Sequence, residues 1–271
     1  MLRVLFTRRW LGALALAAVF CVVAIFLGRW QWHRYEVKDA RADRINSHYD
    51  SQPVPLRHVL PRPGAALPLE QEWTPVSATG RYDPAHLLLV RNRPNNGTYG
   101  YEVVVPLRVQ GGGTLLVDRG WVDNGRTAKS RPDVPPTPRG TVTVTGWLRE
   151  GEQSLGRSMP AGQLASINIK EAAAQVDGPV FGAYVEMKHE QGPPGEAIQR
   201  PAPLEAPDTS KGPHLAYTIQ WWVVAPVGFV LVFLWVRREA SEQEEAENIS
   251  RGAAPKVPKP KKVRIWDEED W

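Results

Sequence analysis

The six histidines are the side chains of this sequence best suited to chemistry, because imidazole acts both as a base and as a metal ligand near neutral pH. No two of them lie three or four residues apart, the spacing at which a helix presents a pair to one metal ion. They stand at positions 33, 48, 58, 86, 189 and 214. The chain also contains no Gly-x-Ser-x-Gly nucleophile motif, no Gly-Lys-Ser/Thr phosphate loop and no second cysteine beside Cys21. The motif search therefore gives no support to an enzymatic function.

His214 differs from the other five by its place, directly before an uncharged stretch that runs from Leu215 to Val236. If that stretch enters a membrane, the imidazole lies at the bilayer surface. A neutral imidazole is a common axial ligand of haem iron, and a site at the membrane edge could receive a lipophilic haem. The alternative is an interfacial histidine that bonds to lipid headgroups or caps the start of a helix. The residues alone leave both interpretations open.

Two uncharged stretches would position such a site. Trp10 to Leu27 contains 18 residues and Leu215 to Val236 contains 22, and about 20 apolar residues suffice for one helix to cross the hydrocarbon core. Gln220 and Pro226 lie within the second stretch, where a polar side chain predicts packing against another helix. The sequence therefore predicts two spans that flank a large domain. The predicted segments are an N-terminus (1–9), a first span (10–28), a domain (29–213), a second span (214–236) and a tail (237–271).

The distribution of basic residues predicts how the spans are oriented. Arg237 and Arg238 follow the second stretch at once, and positive residues favour the cytoplasmic side. Both termini are then expected in the cytoplasm, with domain 29–213 outside the cell (plasma) membrane. The first stretch is longer than the apolar region of a usual signal peptide, and Arg29-Trp30-Gln31-Trp32 follows it in place of a small-residue cleavage site. We therefore predict an uncleaved anchor, and the single Cys21 leaves the domain without a disulfide.

The charge of the chain argues against nucleic acid as a partner. The formal charge is +4, and basic and acidic residues nearly balance between the two spans. No basic stripe is present that could follow a phosphate backbone. The lipid bilayer is the partner that the composition itself predicts.

Alternating apolar and polar residues predict a β-rich domain between the spans. Asn95-Asn96-Gly97 and Gly111-Gly112-Gly113 are turn signals that join neighbouring strands. Predicted strands cover residues 74–82, 87–92, 101–109, 114–118, 141–149 and 181–188, and predicted helices cover 31–50 and 167–176. The fold class is therefore α+β, with two transmembrane helices that flank an extracytoplasmic, antiparallel, barrel-like domain containing one or two helices. Residues 239–271 are charged and poor in apolar side chains, which predicts disorder.

Several motifs, in the same order along the chain, resemble those of the Surfeit locus protein 1 family. The most distinctive are Gly28-Arg29-Trp30-Gln31-Trp32-His33-Arg34, after the first span, and Val117-Asp118-Arg119-Gly120-Trp121-Val122. His214-Leu215-Ala216-Tyr217, followed by Gln220-Trp221, is similar to the family's entry into its second span. Shorter matches are Gly80-Arg81-Tyr82, Gly100-Tyr101 and Pro106-Leu107. The resemblance runs from about Gly28 to Trp235 and includes the two-span topology.

This resemblance implies a function. Members of that family assist, as chaperones, the assembly of haem–copper cytochrome c oxidase, which is complex IV of the respiratory chain. Some bacterial members are described as binding haem a and helping to deliver it. The histidine implicated there matches His214, whereas His33 is not a family position. The implied partners are the catalytic subunit of the oxidase or haem-synthesis proteins, and no catalytic turnover is implied.

The residues of these motifs have two interpretations each. Arg119 and Trp121 could close the end of the sheet, or they could face a partner, since arginine and tryptophan dominate the binding energy of interfaces. Trp30, Gln31 and Arg34 could anchor a helix at the membrane edge or dock on the oxidase. Further candidate partner contacts, on the second span, are Tyr217, Gln220 and Trp221.

Two other functions remain compatible with the sequence. One is a permanent accessory subunit of a respiratory oxidase, which would use the same surfaces without release. The other is a membrane-anchored extracytoplasmic enzyme, which the absence of local catalytic motifs disfavours.

Overall fold

The computed structural model describes residues 1–125, 130–194 and 197–252. The chain divides into two compact units. Met1–Glu36 and the chain from Gly212 onward form one, here called the helical unit, and Val37–Lys211 form the other, here called the barrel unit. The helical unit holds the two apolar stretches, and the barrel unit holds the sheet.

Helices and strands of the described residues follow the order that the sequence predicts. The helices are α1 (Leu2–Leu5), α2 (Arg8–His48), α3 (Leu56–Val59), α4 (Ile169–Ala173), α5 (His214–Val224) and α6 (Val227–Ser250). The strands are β1 (Val54–Pro55), β2 (Pro75–Tyr82), β3 (Leu88–Asn95), β4 (Thr98–Val109), β5 (Thr114–Asp123), β6 (Val142–Glu150), β7 (Gln163–Leu164) and β8 (Val180–Gln191). Single 3₁₀ turns occupy Leu69–Gln71 and Pro84–His86.

In the helical unit, the first apolar stretch lies in α2 and the second lies in α5 and α6. Both are long and apolar enough to cross a membrane. Small residues let the backbones approach each other, since a Cβ atom added to Gly228 would lie 3.1 Å from that of Ala17. Ala24 and Thr218 are fully buried. Close approach through small residues is how helices associate in lipid, and the predicted pair of long apolar helical stretches is confirmed.

The second apolar stretch is two helices, where the sequence predicts one. α5 ends at Val224 and α6 begins at Val227. Pro226 lies between them, and it has no amide hydrogen to continue the bonding pattern of α5. Its carbonyl accepts hydrogen bonds from the amides of Phe229 and Val230, both at 3.1 Å. The proline therefore ends one helix and starts the next.

Helix α6 continues to Ser250, so the predicted disorder of residues 239–250 is wrong. Nε1 of Trp10 donates to a carboxylate oxygen of Glu239 at 3.0 Å, and Nε of Arg238 donates to Glu242, four residues along, at 2.8 Å. Alanine, glutamate and glutamine, which favour helices, also dominate the segment. The disorder predicted for residues 253–271 lies outside the described residues.

The barrel unit is built on one sheet with the strand order β1-β2-β6-β8-β5-β4-β3-β7. A further pairing between β2 and β4 closes β2, β6, β8, β5 and β4 into a ring. Neighbours in the ring are antiparallel, except for β5 and β8, which are parallel. The predicted barrel-like domain is confirmed, and it contains a parallel pair that the sequence did not predict.

Alternation along the strands fills the ring from inside. Val103, Val105 and Leu107 of β4 belong to the inner core, whereas Val104 is buried on the outer face. That outer face is covered by Ile167 and by the residues of α4. The strands that are buried on both faces therefore show nearly continuous apolar runs.

Both predicted turns are confirmed. Asn96 and Gly97 have positive φ angles of 47° and 77°, the signature of a two-residue turn between β3 and β4. The three glycines 111–113, between β4 and β5, have φ angles of 85°, 96° and 89°. Residues with a Cβ atom rarely adopt these angles, so the glycines permit the hairpin.

An aromatic cluster joins the end of α2 to the sheet within the barrel unit. The rings of Tyr49 and Trp147 stack at 4.3 Å, and Nε1 of Trp147 donates to the Tyr49 carbonyl at 2.8 Å. Ile45 of α2 is buried in the same cluster with Trp73. The helix predicted over residues 31–50 is therefore confirmed, as the end of α2.

Candidate functional site

His214 is the first residue of α5, and its imidazole has a defined partner in the helical unit. Nδ1 lies 2.9 Å from the side-chain oxygen Oε1 of Gln31 in α2. An amide oxygen only accepts hydrogen bonds, so Nδ1 carries the hydrogen and donates it. In the neutral ring the lone pair is then on Nε2, for which the described residues provide no hydrogen-bond donor.

The packing of α5 against α2 brings these two side chains together. A Cβ atom at Gly28 would lie 2.3 Å from Nε1 of Trp222, so the indole rests where any larger residue would stand. The same indole stacks on Trp32 at 6.2 Å. Gly28 and Gln31, three residues apart, share one face of α2. The face of α2 that packs against α5 through Gly28 therefore also carries Gln31, which bonds to His214.

The arrangement suits an axial ligand of haem iron. Such histidines present one ring nitrogen to the metal and donate the other N–H to a carbonyl, a carboxylate or water, which fixes the tautomer and the ring orientation. His214 has this donor bond and is half-buried. The alternative role at the start of the helix has less support, because the imidazole bonds to Gln31 and not to an amide of α5.

Most of the other predicted contact residues of the helical unit are exposed. Trp30 is 54% exposed, and the Arg34 guanidinium lies 5.2 Å from its ring centre. Tyr217 and Gln220 are exposed on α5, and Trp221 is half-buried. These side chains are accessible, and their role in partner contact stays a prediction. Gln31 is the exception, because its side chain is bonded to His214.

Arg119 is buried inside the barrel unit, and its guanidinium forms an ion pair with Glu190. Nη2 donates to Oε1 of Glu190 at 2.7 Å and Nε donates to Oε2 at 3.2 Å, and neither side chain is exposed. The hydroxyl of Tyr82 donates to the same carboxylate at 2.8 Å. This corrects the expectation of a partner-facing Arg119, because a fully covered guanidinium presents no surface.

The rest of the same motif holds a returning segment of chain against the barrel. The amide and carbonyl of Trp121 pair with those of Ala202, both at 2.8 Å. Gly120 has a φ of 123°, and a Cβ atom there would lie 2.3 Å from the carbonyl oxygen of Ala202. The Trp121 indole is half-buried and donates to the Arg93 carbonyl at 2.9 Å. These contacts favour the structural interpretation of the motif.

Three carboxyl groups lie together on the outer face of the barrel, where Asp118 and Glu186 are buried and Glu102 is half-buried. Asp118 and Glu186 are register partners on β5 and β8, and Glu102 lies on β4. Burial raises the pKa of Glu102 to about 7, although Nε of Arg93 stands 2.9 Å away. Burial and the neighbouring Glu102 raise the pKa of Asp118 well above its usual range. Burial also raises the pKa of Glu186, despite its bond to Arg149 at 2.7 Å.

A second cluster has the composition of a metal site but is occupied by an arginine. One ligand atom each from Asp83, His86 and Asp177 lies within 4.8 Å of the others. Nη2 of Arg108 donates to Asp83 at 2.7 Å and to Asp177 at 3.2 Å. The guanidinium supplies the positive charge that a cation would bring, so the geometry describes an ion network.

These features define a class of protein: one chain that contains both a small closed β-barrel and two long apolar helical stretches, with a histidine that donates a hydrogen bond where the second stretch begins. A model of the SURF1 family matches residues 18–226. The chain belongs to this family. The matched region contains Gly28, Gln31, His214 and Trp222 as well as the whole barrel.

Curated relatives agree with the family. Uncharacterized SURF1-like proteins of Mycobacterium tuberculosis and Mycobacterium bovis are each 34% identical over 247 residues, which is 88% of either chain. A SURF1-like protein of Dictyostelium discoideum is 28% identical over 121 residues, 43% of this chain and 44% of that one. The resemblance that the sequence motifs suggest is therefore confirmed.

Sequence reasoning missed the partners of the motif residues. Glu190 and Tyr82 complete the site of Arg119, yet they come from β8 and β2. An acidic residue in or next to a predicted strand could have indicated a buried ion pair, because an unpaired buried charge is costly. Glu102 and Glu186 fit the same pattern, but the pattern does not identify the residue with which each one pairs.

Glu102 gives the barrel unit a pH-dependent stability. Its folded pKa of about 7 lies above its ordinary value of 4.5, so unfolding releases a proton between these values. The free energy of unfolding then falls as pH rises through this window, by up to about 3 kcal/mol. The test is urea unfolding of the full chain in detergent between pH 5 and 7.5. The side chain of Glu102→Gln does not titrate, so the free energy of unfolding of this variant is expected to fall less over that range than that of the wild type. Glu150→Gln, at an exposed position on β6, is the matched control. Equal pH slopes for the wild type and Glu102→Gln would contradict this assignment.

Proposed function

We propose that this chain is a membrane-anchored assembly factor for haem–copper cytochrome c oxidase that holds haem a transiently through His214. One observation carries the ligand role: the bond from Nδ1 to Gln31, at 2.9 Å, leaves Nε2 of the neutral imidazole free. Membership of the SURF1 family supports the assembly role. Haem is the cargo here, and the catalytic subunit of the oxidase is its destination.

The residues of the helical unit perform the binding step. Nε2 of His214 would give its lone pair to the iron of a bound haem, while Gln31 holds the ring in one orientation. The indoles of Trp32 and Trp222, whose ring centres lie 6.2 Å apart, would offer apolar surface to a lipophilic ring. Ligation through His214 alone would let the cargo leave when the oxidase offers its own ligands.

We further propose that both termini are cytoplasmic and that the barrel unit lies outside the cell membrane. In the helical unit, Arg9 stands 3.9 Å from Glu239, so the start of α2 and the middle of α6 share one end. Arg8, Arg237 and Arg238 belong to the same end by sequence. Clustered arginines favour the cytoplasmic side of a membrane.

Cysteine labelling in intact cells tests the orientation. In a Cys21→Ser background, Asn96→Cys is expected to react with a membrane-impermeant thiol reagent, because the exposed turn after β3 lies outside. Ser250→Cys, at the end of α6, is expected to react only after the cells are opened. The reverse pattern would overturn the topology.

Loss of the protein tests the assembly role. Deletion of its gene is expected to lower the amount and activity of assembled cytochrome c oxidase, measured by haem a absorbance and oxygen uptake, while electron transfer from quinol to cytochrome c is retained. Normal oxidase in a strain without a second copy of the gene would refute the role. A permanent accessory subunit would instead remain at one copy per purified oxidase.

Replacement of His214 tests the ligand role. His214→Ala is expected to lose most bound haem, measured as Soret absorbance per mole of protein purified with haem supplied, because the iron loses its ligand. The fold should persist, since a half-buried side chain leaves no enclosed cavity. His33→Ala, at an exposed position near the same helix end, is the control. Haem content in His214→Ala equal to that of the wild type would eliminate the ligand role.

A further inference from the structure

Gln31 is a polar residue four positions after the end of the first apolar stretch, and the structure gives it a specific partner. Its side-chain oxygen accepts the Nδ1 hydrogen of His214 at 2.9 Å, across 183 residues of sequence. Gln31 is half-buried, as is His214. The amide oxygen is therefore aimed at the imidazole and not at solvent or a partner surface.

The position of this amide is set by the packing around it. Gly28, one turn earlier in α2, is covered by the Trp222 indole, and Trp32, the next residue after Gln31, stacks on the same indole at 6.2 Å. The backbone of α2 is thus held against α5 directly beside Gln31. The backbone that carries Gln31 is therefore fixed relative to the helix that carries His214.

The chemical type of the acceptor also matters. Without an acceptor the imidazole can rotate, and either ring nitrogen can carry the hydrogen. A carboxylate would draw the Nδ1 proton toward it and make Nε2 a stronger donor to iron. An uncharged amide orients the ring and selects the tautomer without a charge behind the imidazole.

We propose that Gln31 is the positioning residue of the haem site: it acts through His214 and holds Nε2 toward the cargo. This inference rests on the proposed ligand role of His214. It replaces the partner-docking role that the sequence suggested for Gln31.

The test compares Gln31→Leu, Gln31→Glu and His214→Ala with the wild type, each as the full chain in detergent titrated with haem a. Gln31→Leu removes the acceptor and is expected to weaken haem affinity about 10–100-fold. Gln31→Glu restores an acceptor, so it should bind haem at least as tightly as the wild type, release it more slowly and lower the midpoint potential of the bound iron. Gln243→Leu, the same change at an exposed position on α6, is expected to have no effect.

The outcomes separate this inference from the proposed function. If His214→Ala loses haem while Gln31→Leu binds within twofold of the wild type, the positioning role is overturned and the ligand role stands. If His214→Ala retains haem, both are overturned. Weak binding by Gln31→Leu and by Gln31→Glu alike, with an unchanged midpoint potential, would show that Gln31 only supports the packing, and this also overturns the positioning role.

Discussion

The close contact between Gly28 and the indole of Trp222 is the constraint on which the candidate site depends. A single Cβ atom at position 28 would fall 2.3 Å from the indole nitrogen, so the two helices can approach this closely only at glycine. In lipid, apolar helices gain no hydrophobic stabilisation from association, so close backbone packing and a few hydrogen bonds must hold them together. The contact that joins α2 to α5 is therefore also what brings Gln31 within reach of His214.

A different constraint governs the barrel unit, where charge is buried. An ion pair such as Arg119 with Glu190 gains little over well-packed apolar residues, yet removal of either partner leaves a buried charge uncompensated. A Cβ atom at the neighbouring Gly120 would lie 2.3 Å from the carbonyl oxygen of Ala202, and the backbone of Trp121 is hydrogen-bonded to that of Ala202. The contacts of this motif thus require both one another and a distant segment of the chain. Their role is to hold the segment that returns across the barrel.

The sequence predicts the features that depend on local patterns, and it does not predict those that depend on contacts between distant segments. Strands and turns follow from alternation and from Asn96-Gly97, because these signals lie within a few residues. Distant segments are joined where β2 pairs with β4 and where β5 pairs in parallel with β8. No pattern within a few residues predicts these pairings. The same holds for the site: His214 is identifiable from its place before an apolar stretch, whereas the role of Gln31 depends on a contact 183 residues away. The helix to Ser250 was missed because charge suggested disorder, while the stabilising bond from Trp10 to Glu239 is again long-range.

The chemistry of the Gln31–His214 pair bears on why the proposed site would serve a carrier. An enzyme or electron-transfer protein that keeps its haem gains from a second axial ligand or from a carboxylate behind the first, since both strengthen the bond to iron. In the helical unit, His214 is held by a hydrogen bond from its Nδ1, and the acceptor is an uncharged amide. Such a ligand would have a defined orientation and no carboxylate behind it to strengthen its bond to iron. That combination suits transient binding, because a receiving protein with stronger ligands of its own can compete for the iron.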